Sequence, residues 1–233
     1  MANLTGGERS RYVQNLFTRL APRYDVMNRL MTAGLDLGWR REVIRQAALR
    51  PTDRLLDLGA GTGDLSFEAM RQQTGVRVVA ADFTLEMMRV GRQRPGGATI
   101  PWLGADALQL PFADNTFDAV VSGFLMRNVS DVPQALREQR RVLVPGGRIV
   151  ILDTTPPRRN WLSPAIQFYL HRVIPLLGRL IAGQAEAYTY LPQSTQSFLP
   201  AESLAAHLAE AGFRNVHFQR RNFGTIAIHW AVK

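Results

Sequence analysis

The chain is 233 residues long, with 46% hydrophobic and 20% charged residues and a formal net charge of +9. These values predict one folded domain and exclude an extensively disordered chain. The absence of cysteine excludes a disulfide framework, a thiolate metal site and a cysteine nucleophile. The 27 Arg and one Lys occur singly or in pairs, which disfavours a nucleic-acid partner and fits an anionic membrane surface or an acidic substrate better.

The N-terminal segment, residues 1–50, is helical in pattern and lacks the apolar stretch of a signal peptide. Four apolar residues fall on one side of its first predicted helix: Val13, Leu16, Phe17 and Leu20. No uncharged apolar stretch in the chain is long enough to span a membrane. We therefore expect a cytoplasmic protein with an N-terminal helical cap.

From residue 53 onwards, short apolar strands alternate with helices. The predicted strands cover residues 54–58, 76–81, 99–103, 117–121 and 148–153. The predicted helices cover residues 64–73, a segment that begins at Leu85 with Thr84 as its cap, and residues 131–144. Apolar strands that alternate with helices are typical of a mainly parallel sheet with helices on both faces.

The end of the chain departs from this alternation. A predicted helix over residues 201–211 is followed by strands over 213–220 and 225–232, with only a short gap between them. Strands this close cannot be joined by a helical crossover, so the last of the seven strands is predicted to be antiparallel. The elements together predict an α/β, Rossmann-like fold.

The most informative local pattern is a glycine-rich turn that directly follows the first predicted strand. It contains Gly59, Gly61 and Gly63, with Thr62 among them. Glycines there let the backbone approach a ligand at a helix N-terminus. The spacing G-x-G-x-G differs from the G-x-G-x-x-G of dinucleotide folds, and the turn lacks the Lys of a phosphate loop. The structural alternative is an ordinary turn between strand and helix.

Two acidic residues follow the next predicted strands. The carboxylate of Asp82, at the end of the second strand, is placed to accept hydrogen bonds from both ribose hydroxyls of an adenosine ligand. Asp106, after the third strand, would lie beside the adenine and accept from its exocyclic amine. Phe83 and Ala107 are their neighbours in the predicted pocket. An aspartate such as Asp106 after a strand is usually only a turn residue. The prediction that it binds a ligand depends on its combination with Asp82 and the glycine turn.

This combination resembles the class I S-adenosylmethionine-dependent methyltransferases, whose seven-stranded sheet has an antiparallel seventh strand. Further segments resemble the menaquinone/ubiquinone-biosynthesis C-methyltransferases: residues 16–28, 34–40, 127–131, 188–195 followed by Phe198, and 224–229. The resemblance implies S-adenosyl-L-methionine as cofactor, with Gly123 also at its pocket. It implies a prenylated quinol, expected to be demethylmenaquinol, as substrate.

The implied reaction moves a methyl group from a sulfonium to a ring carbon of the reduced quinol, because an oxidised quinone is itself electrophilic. The enzyme must also help to remove a phenolic proton with a pKa of about 10. By resemblance, Arg127 would stabilise the phenolate, Asn128 would orient its hydroxyl or a water, and Tyr24 would reach over the pocket. The structural alternatives are a surface ion pair for Arg127, a helix cap for Asn128 and packing for Tyr24.

Three positions depart from the family pattern. Gly123 stands where the family usually has Ser, and residues 124–126 read Phe-Leu-Met in place of Phe-Gly-Leu. Asp36 stands where many members have His. The first two bear on the choice of substrate more than on the cofactor.

Asp153, at the end of the fifth predicted strand, is a candidate base or orienting group. No cluster of His, Asp and Glu has the spacing of a metal site.

We predict a single domain with four parts: a cap (1–50), a cofactor-binding core (53–156), a helical lid (157–196) and a closing helix with two strands (197–233). The predicted lid is apolar with Arg nearby, so it either packs as plain core or admits a prenyl tail at a membrane surface. We expect transient contact with the inner face of the cell membrane. Whether the chain forms a homodimer stays open.

Two other functions also stay open at this stage. One is N- or O-methylation of a small molecule or a phospholipid with the same cofactor core. The other is a nucleoside-binding or membrane-peripheral scaffold that has kept the fold without turnover. The glycine turn with its two acidic residues disfavours the scaffold, and the family-like segments disfavour other methyl acceptors.

Overall fold

The computed structural model describes residues 6–21, 24–156 and 198–233. The predicted lid over residues 157–196 and the family-like segment that begins at Tyr188 therefore lie outside the described residues. Within the described ranges, no helix is long and apolar enough to cross a membrane.

Seven strands form one sheet. They are β1 (Arg54–Leu58), β2 (Arg77–Asp82), β3 (Trp102–Gly104), β4 (Phe117–Gly123), β5 (Leu143–Thr154), β6 (Arg214–Arg221) and β7 (Ile226–Val232). Their order is β3-β2-β1-β4-β5-β7-β6. The first five strands pair in parallel, and β7 is antiparallel to both of its neighbours. The predicted seven-stranded, mainly parallel sheet with an antiparallel last strand is confirmed.

Seven α-helices are found in the described residues. They are α1 (Gly6–Leu20), α2 (Tyr24–Met31), α3 (Leu35–Ala47), α4 (Asp64–Gln72), α5 (Leu85–Gln93), α6 (Val132–Val142) and α7 (Ala201–Glu210). Successive strand residues point to opposite faces, so Leu55 and Leu56 belong to different apolar clusters. The cluster of Leu56 includes residues of α6 and α7, and that of Leu55 includes residues of α3 and α4. Helices therefore cover both faces.

Two strands differ from their predicted bounds for identifiable reasons. A short 3-10 helix, Gly97–Thr99, occupies the start of the predicted third strand, and the Trp102 indole donates a hydrogen bond to the Gly97 carbonyl at 2.8 Å. β5 begins at Leu143 instead of residue 148. Its pairing with β4 shifts register between Phe117 and Ala119, and this irregularity accommodates the Pro-Gly-Gly turn within the strand.

The helix α1 lies across the carboxyl end of β2. Its buried residues include Leu16 and Leu20, as the sequence pattern predicts. The Gln14 amide donates to the Phe83 carbonyl at 3.0 Å, and the Thr18 hydroxyl donates to the Glu86 carboxylate at 3.1 Å. The N-terminal helix is thus attached to the sheet edge where ligands of open α/β folds bind.

Candidate active site

An open cleft with about 860 Å³ of empty space lies at the carboxyl ends of β1, β2 and β4. This is where the strand order reverses direction, the usual ligand position in an open α/β sheet. Nine of the predicted site residues line it: Tyr24, Gly59, Gly61, Asp82, Phe83, Asp106, Ala107, Gly123 and Asn128. The fold therefore brings seven of the nine predicted cofactor residues and two of the three predicted catalytic residues to one cleft.

Three predicted site residues do not line the cleft. The Thr62 hydroxyl instead donates to the Asp25 carboxylate at 2.6 Å. Gly63 precedes α4 with a φ of 86°, and a Cβ there would lie 2.6 Å from the Trp102 ring, so close packing requires a glycine. Arg127 is buried behind the cleft wall, beside Asp153.

The glycine turn after β1 is tied to the end of β2. The Gly61 N–H donates to one oxygen of Asp82 at 2.7 Å, and the Thr84 N–H donates to the other at 2.7 Å. Gly59 has a φ of 69°, and a Cβ on it would approach the Leu125 side chain to 3.0 Å. At these glycines, the turn therefore presents only its backbone to the cleft.

Two buried carboxyl groups lie in this turn region. Burial raises the pKa of Asp82 above its ordinary value, although several backbone hydrogen bonds oppose the shift. Burial also raises the pKa of Asp57 to about 7. One oxygen of Asp57 accepts from the Ser66 N–H and hydroxyl, and the other is buried with no hydrogen-bond partner among the described residues. Asp57 therefore lies beneath the turn as a buried carboxyl group with one oxygen unengaged by the described residues.

The opposite wall of the cleft carries Tyr24 and Asn128. The Tyr24 ring packs edge-on against Phe17 at 5.8 Å between centroids. Burial raises the pKa of Tyr24, whereas a hydrogen bond with Asn28 and the charge of Arg127 act against that rise. The Asn128 amide donates to the Phe124 carbonyl at 3.0 Å. This wall therefore presents a protonated phenol and an oriented amide.

The helix α6 is capped by Asp131, whose carboxylate accepts from the Gln134 N–H at 2.9 Å. Asn128 is therefore not the cap of this helix. Arg127 is likewise no surface residue, because its side chain is 5% exposed and its partner Asp153 is 1% exposed. The structural alternatives, a helix cap for Asn128 and a surface ion pair for Arg127, are therefore both wrong.

A polar network without any signal in the residue pattern joins the N-terminal helices to the glycine turn. Besides the bond between Thr62 and Asp25, the Arg94 guanidinium donates to the Thr62 carbonyl at 3.0 Å and to Asp64 at 2.6 Å. Arg40 of α3 pairs with Asp64 at 2.9 Å. The residues that this network joins are separated by up to 69 positions in the sequence, so no local pattern could indicate the network. The position of Tyr24 is thereby coupled to the cofactor side of the cleft.

The described residues contain no group of His, Asp and Glu that could hold a metal ion. The cleft can act by positioning and electrostatics: a carboxylate and glycine backbone lie on one side, hydroxyl and amide groups lie on the other, and the Arg127 guanidinium lies behind the wall. A glycine turn of this spacing, an acidic residue after β2 and an antiparallel β7 together define a class I S-adenosylmethionine-dependent methyltransferase.

Comparison with known proteins identifies the family. Residues 5–233 match the ubiE/COQ5 methyltransferase family. The ubiquinone/menaquinone biosynthesis C-methyltransferase UbiE of Desulfotalea psychrophila is 47% identical over 95% of this chain and 90% of its own length. The demethylmenaquinone methyltransferase of Thermus thermophilus is 44% identical, with coverages of 92% and 98%. The chain belongs to the ubiE/COQ5 family and is an S-adenosylmethionine-dependent C-methyltransferase of menaquinone or ubiquinone biosynthesis.

A solved S-adenosylmethionine-dependent methyltransferase from Thermotoga maritima is similar in fold. It aligns with a TM-score of 0.67 at 17% identity, over 94% of this chain and 98% of that one. A likeness at this identity concerns the fold alone, because one fold serves many reactions.

Proposed function

We propose that this protein transfers a methyl group from S-adenosylmethionine to a ring carbon of demethylmenaquinol. The observation that carries the proposal is the single cleft in which the glycine turn and Asp82 face Tyr24 and Asn128. The relatives named for demethylmenaquinone favour the naphthoquinol as acceptor. The same cleft would serve a related benzoquinol, so the acceptor is the part of the proposal that needs direct testing.

The residues of the cleft fit the cofactor. Glycine backbone at positions 59 and 61 leaves the cradle open, and Asp82 is placed to accept from the ribose hydroxyls. Asp106 is exposed at the cleft with one oxygen bonded to the Leu108 N–H, so its other oxygen is available to an adenine amine. The buried, unpartnered oxygen of Asp57 suits the amino group of the methionine part.

The bound cofactor supplies an electrophilic methyl group on a sulfonium sulfur. The protein's own contribution is to raise the electron density of the acceptor carbon by favouring ionisation of the adjacent phenol. Positive charge from Arg127 lowers the pKa of a phenol near it, as its influence on Tyr24 illustrates. We assign Arg127 to this role even though it acts from behind the cleft wall.

Tyr24 and Asn128 would orient the quinol. Because burial raises its pKa, the Tyr24 phenol stays protonated and serves as a hydrogen-bond donor to a quinol oxygen. The Asn128 amide, fixed by the Phe124 carbonyl, would hold the reacting hydroxyl or a bridging water. Both residues would therefore align the acceptor carbon with the methyl group, a contribution that is worth several orders of magnitude in rate when geometry is tight.

A prenylated acceptor resides in the lipid phase, and we propose that the enzyme meets it there by peripheral contact. Three apolar side chains near Tyr24 are exposed: Val26 (58%), Leu30 (46%) and Leu35 (52%). The first two are four residues apart and so share one face of α2. This face and the net positive charge suit an anionic membrane surface.

The proposal is tested by transfer of labelled methyl from S-adenosylmethionine to several acceptors in detergent. Chemically reduced demethylmenaquinol, its oxidised form, a demethylated benzoquinol and phosphatidylethanolamine are offered in parallel. We expect label in the reduced naphthoquinol and none in its oxidised form or in the lipid amine. Label in the benzoquinol alone would reassign the acceptor, and label in the lipid amine would overturn C-methylation.

A further inference from the structure

Asp153, at the carboxyl end of β5, holds Arg127 at two points. One carboxylate oxygen accepts from the Arg127 backbone N–H at 3.2 Å, and the other accepts from its guanidinium at 2.7 Å. A single carboxylate therefore bonds both ends of the same residue. The guanidinium is thereby fixed relative to its own backbone, which restricts the Arg127 side chain to few rotamers.

The same carboxylate is fully engaged by donors. The Thr154 N–H also donates to it, at 2.7 Å. Asp153 is 1% exposed and does not line the cleft. A general base must reach the proton that it removes, so this geometry disfavours Asp153 as the base and favours an orienting role.

Arg127 is held from a second side by an aromatic ring of the cleft wall. Its guanidinium carbon lies 4.9 Å from the centroid of Phe124, and Phe124 lines the cleft. The guanidinium therefore lies directly behind the surface that would contact the acceptor. Without Asp153, a side chain as flexible as arginine would lose much of this defined position.

We propose that Asp153 is a positioning residue for the methyl transfer, which sets the distance and direction from which Arg127 acts on the acceptor oxygen. This inference rests on the proposed function, in which Arg127 favours the phenolate. An arginine that is displaced by an ångström or more would stabilise the phenolate less, because the interaction weakens with distance in a largely buried site.

The matched control is a second carboxylate–arginine pair that involves β5. Asp53 accepts from Arg148, the residue in the middle of the strand where β5 resumes its pairing with β4, at 3.0 Å. Neither residue lines the cleft. Asp53→Asn therefore removes a similar ion pair without touching the site.

The test compares Asp153→Asn, Arg127→Ala, the double variant and Asp53→Asn. For each, kcat is measured across pH with reduced demethylmenaquinol, and cofactor affinity is measured by calorimetry. We expect Asp153→Asn to lower kcat by roughly 10- to 100-fold. The pH of half-maximal kcat is followed in Asp153→Glu, which keeps the negative charge beside Arg127 while moving the guanidinium, and it should shift upward. The cofactor affinity of Asp153→Asn should stay within about twofold of wild type. The kcat of the double variant should match that of Arg127→Ala within about threefold.

Several outcomes would overturn the inference. An unchanged pH profile in Asp153→Glu would do so, because a purely structural loss scales the profile without shifting it. Independent, multiplicative losses in the double variant would show that Asp153 does not act through Arg127. If Asp153→Asn fails to fold, the kcat and pH profile of Asp153→Glu remain the test, and wild-type values there would contradict the inference. An Arg127→Ala variant with wild-type kcat would instead overturn the proposed role of Arg127, and the positioning role would fall with it.

Discussion

Each oxygen of the Asp82 carboxylate accepts one backbone N–H, so the group has one face toward the glycine turn and another toward the cleft. A carboxylate has more acceptor sites than these two bonds use. The remaining lone pairs are available to the two hydroxyls of a ribose. The same residue therefore shapes the turn and would bind the ligand.

Replacing Asp82 by Ala should weaken cofactor binding by about 1–3 kcal/mol, the usual effect of losing polar contacts in a buried site. Calorimetric titration with S-adenosylmethionine measures this change. Asp118→Ala is the control, because Asp118 accepts from the Arg54 N–H at the amino end of the sheet. Equal affinity in the Asp82 variant and the wild type would contradict the ribose assignment.

Asp57 should make folding stability depend on pH. Burial raises its pKa to about 7 from an ordinary value of 3.8, so the folded state holds a proton that the unfolded state has lost between those pH values. Rising pH through this window therefore lowers the free energy of unfolding, on the order of 1–3 kcal/mol in total. The Asp57→Asn variant lacks this contribution.

Denaturant unfolding of wild type and Asp57→Asn at pH 4.5, 6 and 7.5 measures the effect. The stability of the variant relative to wild type should increase across these three pH values and level off above pH 7. Ser66→Ala is a useful companion, since it removes one hydrogen bond to the Asp57 carboxylate and leaves the group titratable. A difference between wild type and Asp57→Asn that stays constant with pH would contradict the buried, proton-holding carboxyl.

At the scale of elements, α1 closes the cleft from the side of β2 and α5. It does so through a buried apolar edge and two side-chain hydrogen bonds, from Gln14 and Thr18. Gln14 and Phe17 both line the cleft, one helical turn apart. Because Gln14 both lines the cleft and joins α1 to the Phe83 carbonyl, we expect it to slow the exit of a bound cofactor.

Gln14→Ala should therefore raise the dissociation rate of the cofactor by roughly two- to tenfold, the effect of one lost hydrogen bond. Stopped-flow displacement of bound S-adenosylhomocysteine measures this rate. Asn15→Ala serves as the control, because the Asn15 side chain is exposed on the same helix. A rate equal to that of the control would indicate that α1 does not restrain the cofactor.

The elements that the sequence predicts well are those whose signal is local. β1 has the predicted bounds, and α4 ends one residue early, because an apolar run beside a glycine turn marks both of them. The irregular start of β5 was not predictable, since it depends on a register shift against β4. The link between Thr62 and Asp25 also depends on tertiary placement, which residue spacing does not encode.

At the scale of the whole molecule, Val26 and Leu30 form an exposed apolar face on α2, the helix that also places Tyr24 at the cleft. We expect this face to contact the lipid phase from which an acceptor with a prenyl tail would come. Net charge and an apolar contact act together at anionic surfaces, where neither alone gives strong binding.

Replacing Val26, Leu30 and Leu35 by Ser should reduce recovery of the protein with anionic vesicles in a flotation assay, by several-fold at low salt. Met70→Ser is the control, because Met70 is an exposed apolar residue of α4 outside this face. Equal recovery of the triple variant and the control would assign the contact to another part of the chain.

The reaction proposed for this enzyme places the methyl group on a ring carbon of the quinol. The most direct measurement is a ¹³C spectrum of the product formed from ¹³C-methyl S-adenosylmethionine and reduced demethylmenaquinol. We predict a resonance in the range of a methyl group bonded to an aromatic or quinone carbon, retained after air oxidation to the quinone. A resonance in the methoxy range would show O-methylation and contradict the account.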